Sequence, residues 1–285
     1  MTRTLAYFGP PGTNSEAAAL IYAQRAGGGF DLLPLASITA VAAAVADGEA
    51  EEGVVPIENS IEGAVNETLD LLIHADRPLY IRSETVLPIE HLLLVKPGTR
   101  KEDVTVIKSF PVAIAQCRSF ISREYPDAEI EAALSTAAAV EGVMSRDGVA
   151  AIASRRAAER YGAEVLASGI QDRSPNHTRF VTVAGEDHAP TGEDKTSLAF
   201  TFAHEDRPAQ LVGALQEFAS RSINLSKIES RPSKEKLGTY IFLVDVHGHR
   251  LDVALAEALT TIEKNCSVFR VLGSYPRFRA EDRSS

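Results

Sequence analysis

Cysteine is scarce in this chain: only Cys117 and Cys266 occur among 285 residues, in separate segments. Two isolated cysteines support neither a disulfide framework nor a zinc site, and they read as reduced thiols of a cytosolic, cytoplasmic protein. Positive charge is also in deficit. The 29 Lys and Arg face 39 Asp and Glu, for a net charge of -10. Nucleic-acid footprints are basic, so nucleic acid is excluded as the expected partner. A local cationic pocket for a small anion stays compatible with that balance. No apolar run approaches the roughly 20 residues of a membrane span, and the N-terminal Met1–Leu5 stretch has no apolar signal core, so no membrane association is expected. The seven histidines show no metal-ligand spacing, and no metal is expected. No Gly-Lys-Ser/Thr follows Gly9-Pro10-Pro11-Gly12, which excludes a P-loop, and the dinucleotide spacing is missing too. There is no Gly-x-Ser-x-Gly elbow and no Cys–His signature for nucleophilic catalysis.

What is present is the composition of a globular protein, 45% hydrophobic and 24% charged. The first two thirds alternate short apolar strands with longer helical patterns, as α/β domains do. Strands are expected at Leu5–Phe8, Gly53–Pro56, Leu92–Val95, Val104–Lys108, Glu129–Leu134 and Val149–Ala153. A hydroxyl or amide follows most of them. Thr13, with Glu16 three residues on, reads as a capping box for a helix over Ala17–Gln24. Ser109 precedes Pro111 and a helix over Val112–Phe120. Ser135 precedes one over Thr136–Met144, and Ser154 one over Arg155–Tyr161. Asn59 and Ser60 lead through Gly63 into a helix around Asn66–Ile73. Such groups cap helix N-termini, and those termini favour anions. In α/β folds they lie beyond the carboxyl ends of the strands, where ligands bind.

The polar segment Glu186–Asp194, broken by Pro190 and Gly192, reads as a linker. Beyond it the expected order is strand (Ser197–Ala203), helix (Pro208–Ser220), strand (Leu225–Ser230), strand (Tyr240–Val246), helix (Leu251–Lys264) and strand (Val268–Gly273). That is the ferredoxin-like βαββαβ arrangement. The charged tail from Arg279 to Ser285 is expected to fray.

Two segments carry candidate chemistry. Pro56–Gly63 packs Glu58, Asn59 and Ser60 into a strand end, with Gly63 allowing close backbone approach. Asn176-His177-Thr178-Arg179-Phe180 places an amide, a hydroxyl and a guanidinium together at the mouth of the strand Val181–Val183. Thr178 is the stronger catalytic candidate and Arg179 the anion ligand. A regular strand turns these two side chains to opposite faces, so a shared ligand requires a local bend.

Taken together the motifs resemble those of prephenate dehydratase over nearly the whole chain. Gly9-Pro10-Pro11-Gly12-Thr13 with Ser15 matches the family's GPxGTxS element, and Pro56–Ser60 with Gly63 its PIENS-x-x-G element. Ser135-Thr136-Ala137 and Thr178-Arg179-Phe180 match its Ser-Thr-Ala and TRF elements. Glu229-Ser230-Arg231-Pro232 matches the ESRP motif of the phenylalanine-binding ACT domain. The resemblance implies an α/β catalytic domain over residues 1–185, of two lobes like a type II periplasmic binding protein. Lobe one would take about 1–80 and 165–185 and lobe two about 81–164, with an α+β ferredoxin-like ACT domain over 196–278. It implies conversion of prephenate to phenylpyruvate with loss of carbon dioxide and water, without a cofactor, by a homodimer or homotetramer.

In this reading Thr178, Glu58, Asn59 and Ser60 are catalytic. Thr13, Ser15, Gly63, Ser109, Ser135, Thr136, Asn176, Arg179 and Phe180 bind substrate. Ala209, Gln210, Leu211, Asn224, Leu225, Ser226, Glu229 and Ser230 form the allosteric L-phenylalanine site. One departure stands out: the family's Pro-Gly-Ala-Leu at the first ACT loop–helix junction is Pro208-Ala209-Gln210-Leu211 here. The first strand starts near Leu5, so no chorismate mutase domain is expected ahead of it. The competing readings are arogenate dehydratase and a non-catalytic cytosolic amino-acid or keto-acid sensor.

Overall fold

A computed structural model describes residues 2–75, 77–203, 207–234, 236 and 238–278. The tail from Arg279 to Ser285 lies outside the described residues. The chain divides into two compact units. One comprises Met1–Val41, Val54–Val65 and Thr85–Phe180; the other comprises Ala42–Gly53, Asn66–Glu84 and Val181–Ser285.

The elements run β1 (Arg3–Phe8), α1 (Asn14–Arg25), β2 (Phe30–Leu35), α2 (Ile38–Ala46), β3 (Glu52–Asn59), β4 (Gly63–Ala64), α3 (Asn66–His74) and β5 (Tyr80–Pro88). They continue with β6 (Leu92–Val95), β7 (Val106–Ser109), α4 (Pro111–Gln116), α5 (Arg118–Glu124), β8 (Glu129–Ala132), α6 (Thr136–Met144), β9 (Val149–Ala153), α7 (Arg155–Tyr161), β10 (Glu164–Ala167) and β11 (His177–Ala184). The last six are β12 (Asp194–Phe202), α8 (Gln210–Ser220), β13 (Leu225–Pro232), β14 (Tyr240–His247), α9 (Val253–Glu263) and β15 (Cys266–Pro276).

Three sheets result: β2-β1-β3-β11-β5 with β4 paired to β3, β10-β6-β9-β7-β8, and β13-β14-β12-β15. Two separate α/β sheets and one ferredoxin-like sheet are what the sequence leads one to expect. Strands β6 and β9 are fully buried apolar runs, as strands covered on both faces are. Leu92 and Leu94 pack on one side with Val140, Val143, Ala157 and Ala158 of α6 and α7. Leu93 and Val95 pack on the other with Ala113, Cys117 and Ile121. This period-two division is strand geometry at work. Both cysteines are free. Burial pushes the Cys117 thiol up to about 12, so it stays protonated and inert.

Several expectations change. The helix expected over Val112–Phe120 divides at Cys117 into α4 and α5. Ser109 does not cap it. Its hydroxyl is fully buried and donates to the Ile152 carbonyl at 2.6 Å, while Phe110 is the N-cap and Pro111 opens the helix. The linker Glu186–Asp194 is tied down by its own contacts. The Asp187 carboxylate pairs with Arg250 at 2.9 Å and accepts from the Ser274 N–H at 3.1 Å, and Asp194 already opens β12. Strand β2 went unread because Pro34 interrupts it. It ends its sheet, where a missing N–H is tolerated.

Candidate functional site

The turn Gly9–Thr13 links β1 to α1. Thr13 caps α1 by accepting from the Glu16 N–H at 3.4 Å. Glu16 does not complete the expected capping box. Its buried carboxylate accepts instead from the Gly12 N–H and from Arg156 Nε, each at 2.8 Å. Burial alone would raise the Glu16 pKa, but these donors hold it below the ordinary value. Gly12 has φ +89, and a Cβ there would meet Tyr161 Cε2 at 3.2 Å and Ala137 Cβ at 3.3 Å. Both the conformation and the space therefore call for glycine. Ser154 donates to the Gly12 carbonyl at 3.1 Å and caps α7 through the Ala157 N–H at 3.3 Å. Ser135 caps α6 by accepting from the Ala138 N–H at 3.0 Å.

The Gly9–Thr13 turn and the start of α6 line an open cavity of about 700 Å³, within the range of ligand pockets. Its walls include Thr13, Ser15, Ser135 and Thr136, with Phe110 and Leu134 beside them. The N-termini of α1 and α6 thus meet at one cavity and offer it partial positive charge.

Thr178, Asn59, Asn176 and Ser60 form a second constellation in the same unit. Asn59 Nδ2 lies 2.9 Å from Thr178 Oγ1, 2.8 Å from Asn176 Oδ1 and 3.2 Å from the His177 carbonyl. Asn59 Oδ1 accepts from the Ile61 and Glu62 N–H groups at 2.9 and 3.0 Å, which fixes the amide's orientation. Ser60 Oγ accepts from the His177 N–H at 2.9 Å, and the Ser60 N–H donates to the His177 carbonyl at 2.9 Å. Gly63, at φ +87, sits opposite Asn59 across the short β3–β4 pairing.

No bend brings Thr178 and Arg179 to one ligand, because β11 is unbroken from His177. Thr178 meets Asn59, whereas Arg179 lies 3.8 Å from Glu58. Successive residues on both strands point to opposite faces, so these are two separate pairs. Phe180 is buried among Leu5, Tyr7, Val54 and Tyr22.

Three residues of this network were not picked out from the sequence. Gln116, at the end of α4, accepts through Oε1 from Asn176 Nδ2 at 3.2 Å and meets His91 Nε2 at 2.8 Å. Its Nε2 donates to Glu62 Oε1 at 2.7 Å. Since Oε1 can only accept, His91 must carry its proton on Nε2. Burial holds the His91 pKa below its ordinary value, against the smaller opposing effect of Gln116, so this ring is neutral. Local spacing offered no signal for these contacts, which span 25 to 60 residues.

In the other unit, Ala209 is the N-cap of α8 with φ 68 and no side-chain cap. A left-handed alanine here is what the departure from the family's glycine produces. Cavities of about 250 and 310 Å³ both touch Ala209 and Gln210, and Leu211 lines the smaller. Along β13 the exposure alternates: Ser226 and Ser230 are exposed, Leu225 and Glu229 half-buried, and Asn224 precedes them exposed. Ser226 donates weakly to the Asp245 carbonyl at 3.4 Å, and Glu229 pairs with Lys227 at 3.2 Å. Arg231 of the ESRP segment is buried against Asp70 of α3, which also takes Lys234 at 2.7 Å. Burial opposes the Asp70 charge, but these cations hold its carboxyl below the usual range.

A family model described as prephenate dehydratase matches residues 5–188. A prephenate dehydratase of Mycobacteroides abscessus is 42% identical over 279 residues, covering 96% of this chain and 90% of the relative. The crystal structure of a prephenate dehydratase of Arthrobacter aurescens in complex with L-Phe superposes with a TM-score of 0.85 at 36% identity, covering 96% of this chain and 90% of that one. A structure described as GqqA, a quorum quenching acylase, superposes with a TM-score of 0.80 at 31% identity, covering 98% of this chain and 100% of that one.

Proposed function

This chain belongs to the prephenate dehydratase family, and we propose that it converts prephenate to phenylpyruvate under control by L-phenylalanine. The observation that carries the mechanism is the Asn59–Thr178 hydrogen bond at 2.9 Å. Asn59 Nδ2 can only donate, so Thr178 Oγ1 accepts from it and keeps its own hydrogen for another acceptor. A threonine hydroxyl is a weak acid, and its role is that of an oriented donor to the departing ring hydroxyl.

In the reaction the bond from the ring to its carboxylate breaks, and its electron pair becomes ring π density. The carbon–oxygen bond to the hydroxyl breaks in turn. The oxygen leaves with the carbon–oxygen bonding pair, takes up a proton and departs as water, while the carboxylate departs as carbon dioxide. Aromatisation drives the step, so positioning supplies much of the rate. The helix N-termini at Thr13–Ser15 and Ser135–Thr136 suit the two carboxylates of the substrate. Ser60 and Gly63 shape the Asn59 turn, Asn176 joins Asn59 to Gln116, and Phe180 anchors β11 in the core. Ser109, fully buried, ties the end of β7 to β9 through the Ile152 carbonyl. Glu58 and Arg179 brace β3 and β11 as a pair, and Arg179 adds positive charge for an incoming dianion.

The catalytic domain is taken to span residues 1–185 and the ACT domain 196–278, in a cytoplasmic homodimer or homotetramer. Ala209–Leu211, Asn224–Ser226, Glu229 and Ser230 form the effector site. The test incubates the purified chain with prephenate, arogenate and an N-acyl amide in parallel. Phenylpyruvate absorbance in alkali from prephenate, altered by sub-millimolar phenylalanine, is the expected result. Product from arogenate alone, or acyl cleavage alone, would overturn the assignment. Turnover indifferent to phenylalanine would remove the regulatory part.

A further inference from the structure

Among the apolar side chains that line the 700 Å³ cavity, Phe110 and Leu134 are exposed large ones that an anion has no use for. Leu134 is 97% exposed and Phe110 41% exposed, and both line the cavity. A single exposed leucine needs no explanation. Here two exposed large apolar side chains share one cavity with the N-termini of α1 and α6. Leu134 immediately precedes the Ser135 cap of α6, and Phe110 immediately precedes Pro111 of α4. Backbone anchors thus fix both residues beside the groups suited to carboxylates. Helix amides can neutralise carboxylates, but they offer nothing to the face of a carbocycle.

We propose that Phe110 and Leu134 form an apolar cover over the ring of the bound ligand, and so select ring-bearing carboxylates over open-chain ones of equal charge. The inference rests on the prephenate dehydratase reading and extends it to residues that no family motif on this chain includes.

The chain contains no tryptophan, so Leu134→Trp supplies a single indole at the rim. Binding is measured with 3-phenylpropionate and with butyrate, which carry the same single charge, saturation being established by calorimetry. The expected result is a blue shift and protection from acrylamide quenching with 3-phenylpropionate, and neither with butyrate. An unchanged indole at saturating 3-phenylpropionate overturns the cover. Leu134→Asn is the companion variant. Because Leu134 is exposed, the melting temperature should not move, while KM for prephenate rises about tenfold with kcat within about threefold. An unchanged KM also overturns the proposal. If the wild-type chain does not turn over prephenate, the functional assignment fails, while the indole response still decides the cover.

Discussion

The turn at Asn59 and the junction at Ala209 are opposites in construction. At Asn59 the side-chain oxygen takes two backbone N–H groups and the nitrogen faces three acceptors. The same polar chain extends through Asn176 and Gln116 to a buried, neutral His91. At Ala209 the helix starts from a left-handed alanine with no side-chain cap. The first region is over-determined, so each group has one orientation. The second holds a backbone conformation that its residue disfavours. Chemistry that depends on hydroxyl direction needs the first kind of construction, and a junction that must answer an effector can work with the second.

The largest expected effect breaks the first region. Thr178→Val keeps the side chain's shape and leaves Asn59 two acceptors, so the fold should hold. Removing an oriented hydrogen-bond donor to the leaving oxygen should lower kcat by about 10²–10³-fold, as read by phenylpyruvate formation. A loss below about tenfold would deny the hydroxyl its role.

The polar network should also show in acid. His91 has a lowered folded pKa, and the unfolded chain takes up that proton near the ordinary value of about 6.5. Below that pH the unfolded state binds more protons, so stability falls as pH falls, by at most about 1.4 kcal/mol per pH unit for one site. His91→Gln keeps a donor for Gln116 and should flatten this slope in denaturant titrations at pH 5 to 6.5. An identical slope would place the linkage elsewhere.

The smallest effect relieves the second region. Ala209→Gly removes the cost of a left-handed alanine, about 1–2 kcal/mol, and adds unfolded-state entropy worth about 0.4–1 kcal/mol. A net gain of up to about 1.6 kcal/mol, or about 3 °C in Tm, should follow. A loss of stability would show that the conformation is not strained.

The sequence was most legible where local chemistry decides the structure. Buried runs such as Leu92–Val95 and Val149–Ala153, the Ser135 and Ser154 caps, and the βαββαβ order of the last domain all follow from period and capping. It was least legible where distant groups decide. Pro34 concealed an edge strand, and α2 is a short apolar stretch whose Ser37 cap contact at 3.0 Å gave little warning. Ser109 looked like a cap but its hydroxyl went to a neighbouring strand. Gln116, His91 and Glu62 enter the network only through folding, because their partners lie far along the chain. Thr178 and Asn59 were singled out, but their separation from Arg179 and Glu58 required the two strands to be seen together.

The central claim is that Asn59 acts by directing the Thr178 proton outward. Asn59→Asp keeps an oxygen for the Ile61 and Glu62 N–H groups and replaces the donor with an acceptor, which would turn the Thr178 hydroxyl inward. A double-mutant cycle of kcat with Thr178→Val tests this most directly. The account predicts that each single variant is severely impaired and that the double variant is no slower than Thr178→Val alone. Losses that simply add would show that Asn59 acts independently of the Thr178 hydroxyl and would contradict it.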